Sequence, residues 1–272
     1  MMAQQIFERA MKGEIFPELR IIDAHCHLGT GHEFYHAPAD IDQMIREADS
    51  MGVEKLCIAP EAGIECDYKY GNELMLDSIR RYPNRVYGYL CLNPFHEDEI
   101  EEMFDTYYPV EQVVGVKIHP SGHRARIDCE GYRKIFQQVE KRGGFVLSHT
   151  WGDFDPFCNL TLCEEVMGRF PKVSFILAHS GGTVESVKKA IRLVNAYPNI
   201  YLDTCGFDIT EHCINELVDQ CPFEKIIFGT DFPYHDLRYG MTRILFADLD
   251  DSQKAGLLHE NFANLLKKNP KK

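Results

Sequence analysis

Basic side chains are in the minority: 29 Lys and Arg stand against 42 Asp and Glu in a 272-residue chain, a formal charge of −13. The far field of such a protein repels phosphate backbones and anionic headgroups. This excludes a general nucleic-acid or membrane-surface binder and leaves a small molecule as the expected partner. Long apolar runs are absent too. No stretch approaches the roughly 18 to 20 residues that span a bilayer. The opening MMAQQIFERAMKGEIF lacks the uninterrupted apolar centre of a signal peptide, so the expected location is the cytoplasm. Ten cysteines are scattered between Cys26 and Cys221 without a CxxC pair, a spacing that fits reduced thiols packed as small apolar residues rather than a disulfide framework. Low-complexity tracts, linkers and residue-level repeats are also missing, so residues 1–272 read as one domain. A hydrophobic content of 44% with 17 Phe and 13 Tyr excludes global disorder.

What is present is an alternation. Eight short apolar runs rich in β-branched residues occupy 20–28, 54–61, 85–94, 113–120, 144–150, 173–182, 199–206 and 225–233. Between them lie stretches of helical periodicity, such as DIDQMIREADSMG, CEGYRKIFQQVEKRG and TVESVKKAIRLVNAYP. Asp40 with Gln43 has the spacing of a capping box, and Gly52 and Gly143 are placed to stop helices. Prolines in RRYPNRV, GRFPKVS, NAYPNIY and DQCPFEK cannot continue the preceding helix and so fix where the next strand begins. A last helix is expected over DSQKAGLLHENFANLLKK. Eight evenly spaced strand–helix units, with no GxGxxG opening the first helix, predict an α/β fold closed into a (β/α)8 TIM barrel rather than an open doubly wound sheet.

In such a barrel the working face lies where strands run out into loops. Five of the twelve histidines stand there: His25, His27, His119, His149 and His179. Histidine has no special β propensity, so folding does not explain the concentration. Alternation along a strand points His25 and His27 the same way and turns Cys26 toward the helices. An HxH pair alone is weak, with chance or structural readings about as good. The eighth run adds Gly229-Thr230-Asp231, and three imidazoles with one carboxylate from four strand ends form a donor set that zinc accepts.

The ordered set Asp23-x-His25-x-His27, Gly115-x-Lys117-x-His119, His149, Ala178-His179-Ser180-Gly181-Gly182, Gly229-Thr230-Asp231-Phe232-Pro233 and Asn261-Phe262-Ala263-Asn264 resembles the amidohydrolase superfamily. It is most similar to the amidohydrolase-2 branch, which also contains aminocarboxymuconate-semialdehyde decarboxylase. The resemblance runs from about residue 20 to 267. It implies that His25, His27, His149 and Asp231 bind a divalent metal, usually zinc. It implies that His179 is a catalytic group beside one ion or a ligand to a second. Lys117 stands where some branches carry a carboxylated lysine bridging two ions; one zinc per chain is the first expectation, a second through Lys117 and His179 the other. A homo-oligomer is compatible with the resemblance, though no residue marks an interface.

The expected chemistry is that of a metal-dependent hydrolase. Zinc held by neutral imidazoles lowers the pKa of bound water from about 15.7 toward 7. Asp231 is then suited to accept and pass on the proton, and His179 to polarise an amide, lactone or ester carbonyl. The runner-up is a metal-dependent non-oxidative decarboxylase acting on an unsaturated or aromatic acid; a non-catalytic barrel is a third reading. Lys117, His119 and Arg124, with Arg126, suggest an anionic substrate, unless the arginines lie on a solvated loop. Trp151 either walls the pocket or simply packs. His235 is a candidate pocket member, Cys205 reads as a buried thiol, and Ser180-Gly181-Gly182 as a turn rather than a phosphate cradle. His32, His36, His96, His123, His212 and His259 fall in loops or helices, and most of them are expected at the surface.

Overall fold

The computed structural model describes residues 5–14, 16, 18–31, 39–206 and 209–271. Eight parallel strands follow one another around a single sheet in chain order: β1 (Ile22–Leu28), β2 (Lys55–Pro60), β3 (Val86–Cys91), β4 (Val113–Ile118), β5 (Phe145–Ser148), β6 (Ser174–Leu177), β7 (Ile200–Asp203) and β8 (Ile226–Ile227). Helices alternate with them, giving the (β/α)8 barrel. β8 pairs with β7 at Leu202 and Asp203. Its continuation reaches back to β1: Ala24 N donates to Phe228 O at 3.0 Å, Asp231 N to His25 O at 2.8 Å and His27 N to Phe232 O at 2.7 Å.

Two faces of the sheet bury two kinds of core. Cys57 and Ala59, Tyr89 and Cys91, and Phe145 and Leu147 form a cluster within the barrel, while the residues between them, such as Ile58, Leu90 and Val146, pack outward among helix residues including Met44, Phe136 and Val187. β1 breaks this parity. Ile22 and Ala24 belong to the inner cluster, yet Cys26 packs in the outer one, because the register against β2 shifts between Asp23 and Cys26. That irregularity turns both His25 and His27 toward the barrel axis, and such bulges commonly re-aim a side chain beside a functional site.

The capping logic is mostly as expected. Asp40 accepts from Gln43 N at 2.8 Å, but the Gln43 side chain bonds Glu47 instead of returning to Asp40, so the capping box is only half formed. The complete box stands elsewhere, at Asp250 and Gln253. Gly52 ends the helix Ile41–Met51 with φ 71°, where a side chain would be strained. Each proline-containing turn follows a helix end, after Arg81, Arg169, Ala196 and Gln220. The last helical stretch is interrupted by a π turn at Gly256–Glu260. All ten cysteines are unpaired thiols. No helix among the described residues is long and apolar enough to cross a membrane.

Candidate active site

The strands are shorter than the apolar runs, and from β3 to β8 most of the shortfall falls at their carboxyl ends. His25 and His27 lie within β1, but His119, His149, His179, Cys205 and Asp231 stand just beyond their strands. Freed from the ladder, two of these adopt left-handed backbone: φ is 60° at His179 and 68° at Asp231. Such conformations cost on the order of 1–3 kcal/mol each and persist only where surroundings over-determine them. Here hydrogen bonds hold them. Asp203 Oδ1 accepts from His179 N at 2.7 Å, and Asp231 N is fixed to β1. Asp23, fully buried, accepts from the backbone of His25 and Thr230 and from the Thr230 hydroxyl; burial pushes its carboxyl up to about 6 despite those bonds.

Three donor atoms converge. His25 Nε2 and His27 Nε2 are 3.1 Å apart, and Asp231 Oδ1 lies 3.3 Å from the first and 3.1 Å from the second. Donors about 2.1 Å from one ion sit roughly 3.0 to 3.4 Å from each other, octahedral to tetrahedral, so these residues fit a divalent cation. Their outer edges are anchored. His25 Nδ1 faces Asp203 Oδ2 at 2.8 Å, and His27 Nδ1 pairs with Glu61. Each carboxylate fixes a proton on Nδ1 and turns Nε2 to the common point, as ligand histidines require. Lys117 Nζ donates to His25 Nε2 at 2.7 Å. A wider set, His25, His179, Cys205 and Asp231, has its ligand atoms within 4.8 Å of one another.

Electrostatics separate the imidazoles. Burial, reinforced by Lys117, holds His25 well below the usual histidine range. Burial likewise lowers His149 and His119, with neighbouring cationic groups adding to it, and lowers His179 to about 4. Burial also opposes charge on His27, but Glu61 and Asp231 outweigh it and push His27 up to about 9. Asp231 is held well below the carboxylate range because His25, His27 and His179 overcome its desolvation.

A cavity of about 360 Å³ opens above this centre, lined by His27, Lys117, His119, His149, Trp151, His179 and Asp231 among others. His119 and His149 stack at 3.9 Å between ring centroids, and Trp151 continues the stack at 6.1 Å. His149 Nδ1 is 3.1 Å from His179 Nε2, so His149 stands beside the convergent trio. His235 also lines the cavity. Arg124 does not: it is exposed on the loop after the short helix Pro120–His123 and absent from the lining, and Arg126 is spent on Asp128. Of the groups that suggested an anionic substrate, Lys117 and His119 line the cavity, beside the carboxylates Glu61, Glu65, Asp155 and Asp231 and the imidazole of His27. His259 is buried rather than at the surface, and His123 is half-buried against the Tyr132 hydroxyl at 2.7 Å. His32 and His36 lie outside the described residues.

Sequence reasoning missed Glu61 and Asp203. Glu61 ends the second apolar run and Asp203 lies in the second half of the seventh, so the position rule applied to histidine would have found them had it been applied to carboxylates.

The family model described as amidohydrolase matches residues 22–268. No curated protein matches the sequence. Among solved structures, 5-carboxyvanillate decarboxylase from Sphingomonas paucimobilis superposes with a TM-score of 0.71 at 16% identity, over 92% of this chain and 99% of that one. A probable 2-pyrone-4,6-dicarboxylic acid hydrolase from Acinetobacter baumannii gives 0.69 at 18%, over 92% and 100%. A dihydroxybenzoic acid decarboxylase from Polaromonas sp. JS666, with bound manganese and the inhibitor 2-nitroresorcinol, gives 0.69 at 16%, over 92% and 97%. At these identities the likeness shows a common fold.

Proposed function

Since the chain belongs to the amidohydrolase family, we propose that it is a metal-dependent hydrolase that cleaves an amide, lactone or ester of a small substrate. The observation that carries this reading is the convergence of His25 Nε2, His27 Nε2 and Asp231 Oδ1 at 3.1–3.3 Å on the floor of a cavity walled by His119, His149 and Trp151. We assign the ion to these three groups with His149 as the fourth ligand, and take zinc, one per chain, as the cation; manganese, which the Polaromonas decarboxylase holds, is the competing choice. When bound, the ion supplies Lewis acidity and acidifies water at neutral pH.

The chain's own groups do the rest. Asp231, held ionised by three imidazoles, is the acceptor for a proton leaving the attacking water and its donor to the leaving group. His179 contributes a ring within the same cluster and borders the cavity in which the substrate carbonyl would lie. Lys117 holds positive charge opposite the carboxylates. The stack of His119, His149 and Trp151 forms a flat wall against which a planar substrate excludes water.

A second reading, removal of carbon dioxide from an aromatic acid, is supported by the names of two of the structural neighbours. A screen of metal-loaded protein against esters, lactones and amides beside hydroxybenzoic acids separates the two. Acid release without carbon dioxide is expected, and Asp231→Asn should lower kcat/KM by about 10²–10⁴. Carbon dioxide evolution from an aromatic acid, with every ester, lactone and amide untouched, would replace the hydrolase reading by the second.

A further inference from the structure

Cys205 is fully buried just after β7 and stands outside the trio of His25 Nε2, His27 Nε2 and Asp231 Oδ1. Its Sγ lies 3.0 Å from His25 Nδ1, 3.2 Å from His179 Nδ1 and 3.2 Å from Asp203 Oδ1. These contacts fall on the Nδ1 edges of both rings, opposite the edge of His25 that faces His27 and Asp231. Sulfur and nitrogen bound to one zinc sit roughly 3.6 Å apart, so the sulfur is spaced as a hydrogen-bond partner of the imidazoles and not as a fellow ligand.

Proton positions follow from what each group can do. The Asp203 carboxylate only accepts, and as the charged acceptor within reach it takes the thiol proton on Oδ1. The sulfur lone pairs then face His179 Nδ1, which must carry its proton. That leaves a lone pair on His179 Nε2, 3.1 Å from His149 Nδ1, so His149 holds its proton on Nδ1 in turn and keeps a bare Nε2. The backbone N–H of His179 is tied to the same Asp203 Oδ1 at 2.7 Å, which holds its Cα beside Cys205.

We propose that Cys205 is a positioning residue whose thiol, oriented by Asp203, sets the tautomer of His179 and through it that of His149, so that His149 offers Nε2 as an acceptor. The inference does not depend on which reaction the site performs. Without the thiol, His179 moves its proton to Nε2, donates to His149 Nδ1, and reverses both rings together.

The test is long-range ¹H–¹⁵N correlation spectroscopy on the full-length chain labelled at histidine. It is run metal-free, because a cation on His149 would by itself fix that ring's proton. Wild type should show His179 and His149 protonated on Nδ1, and Cys205→Ala should shift both to Nε2–H with an unchanged circular-dichroism spectrum. Nε2–H on His179 in the wild type overturns the proposal, as does a Cys205→Ala spectrum in which neither ring changes. Should the alanine variant not fold, the wild-type tautomer decides alone.

Discussion

Glu61 shows how much one unremarked side chain contributes. It is 4% exposed, and its pairing with His27 Nδ1 fixes the ring that faces Asp231. Groups that orient a metal-ligating histidine are typically worth 10- to 100-fold in metal affinity. Glu61→Gln should weaken zinc binding by about that factor in a chelator competition while leaving the far-ultraviolet spectrum intact; an unchanged affinity would mean that His27 needs no such anchor. His123 carries a prediction of a different kind. Burial lowers it to about 4 from 6.5, so between these values the unfolded chain binds a proton that the folded chain refuses. The stability it contributes is complete above pH 6.5 and is lost as pH falls toward 4. From pH 6.5 to 5.0 the loss is about 2 kcal/mol at roughly 1.4 kcal/mol per pH unit. Urea unfolding of wild type and His123→Gln across that interval should diverge by this amount, and parallel curves would remove His123 as the source.

At the scale of elements, the working face is made by where strands stop. His149 and His179 follow the four-residue strands β5 and β6, and left-handed residues at 179 and 231 take the chain out of the ladder. Periodicity in the sequence located these strands but overran their carboxyl ends, because a run of apolar residues continues through a tight turn as readily as along a strand. The helices behaved more simply, since caps are local. Asp40 satisfies Gln43 N at the start of Ile41–Met51, and Asp40→Ala should lower unfolding free energy by about 1 kcal/mol, read from the denaturant midpoint at unchanged m-value. A loss below a few tenths would show that the Asp40 carboxylate does no capping. The shift between Asp23 and Cys26 had no such local sign. His25 and His27 were legible as a pair, whereas the irregularity that aims them inward was not.

For the whole molecule, the site ties together segments that are far apart in the chain. His25 and Asp203 are 178 residues apart, and β8 closes the barrel through bonds that also place Asp231. A cation held by β1 and the loop after β8 therefore binds the folded barrel and not the unfolded chain, and it must stabilise the fold by mass action. Thermal unfolding should shift upward as free zinc rises, by about 2.7 kcal/mol at 100 times the dissociation constant, and the shift should vanish in His25→Ala/His27→Ala. Elemental analysis of the loaded protein should give about one metal per chain; two would bring Lys117 and His179 into the ligand set.

The amino-acid order alone determined the alternation of eight strands with helices, the barrel it implies, and the placing of His25, His27, His149, His179 and Asp231 at one end. All of these follow from short-range periodicity and from the rule that barrel strands end on the working face. Only the folded chain decided that Arg124 stays in solvent, that Glu61, Asp203 and Cys205 stand behind the histidines, and that the cavity is rich in carboxylates. Those outcomes rest on distances of about 3 Å between side chains from different strands, which depend on register and closure around the whole barrel and leave no periodic trace along the chain.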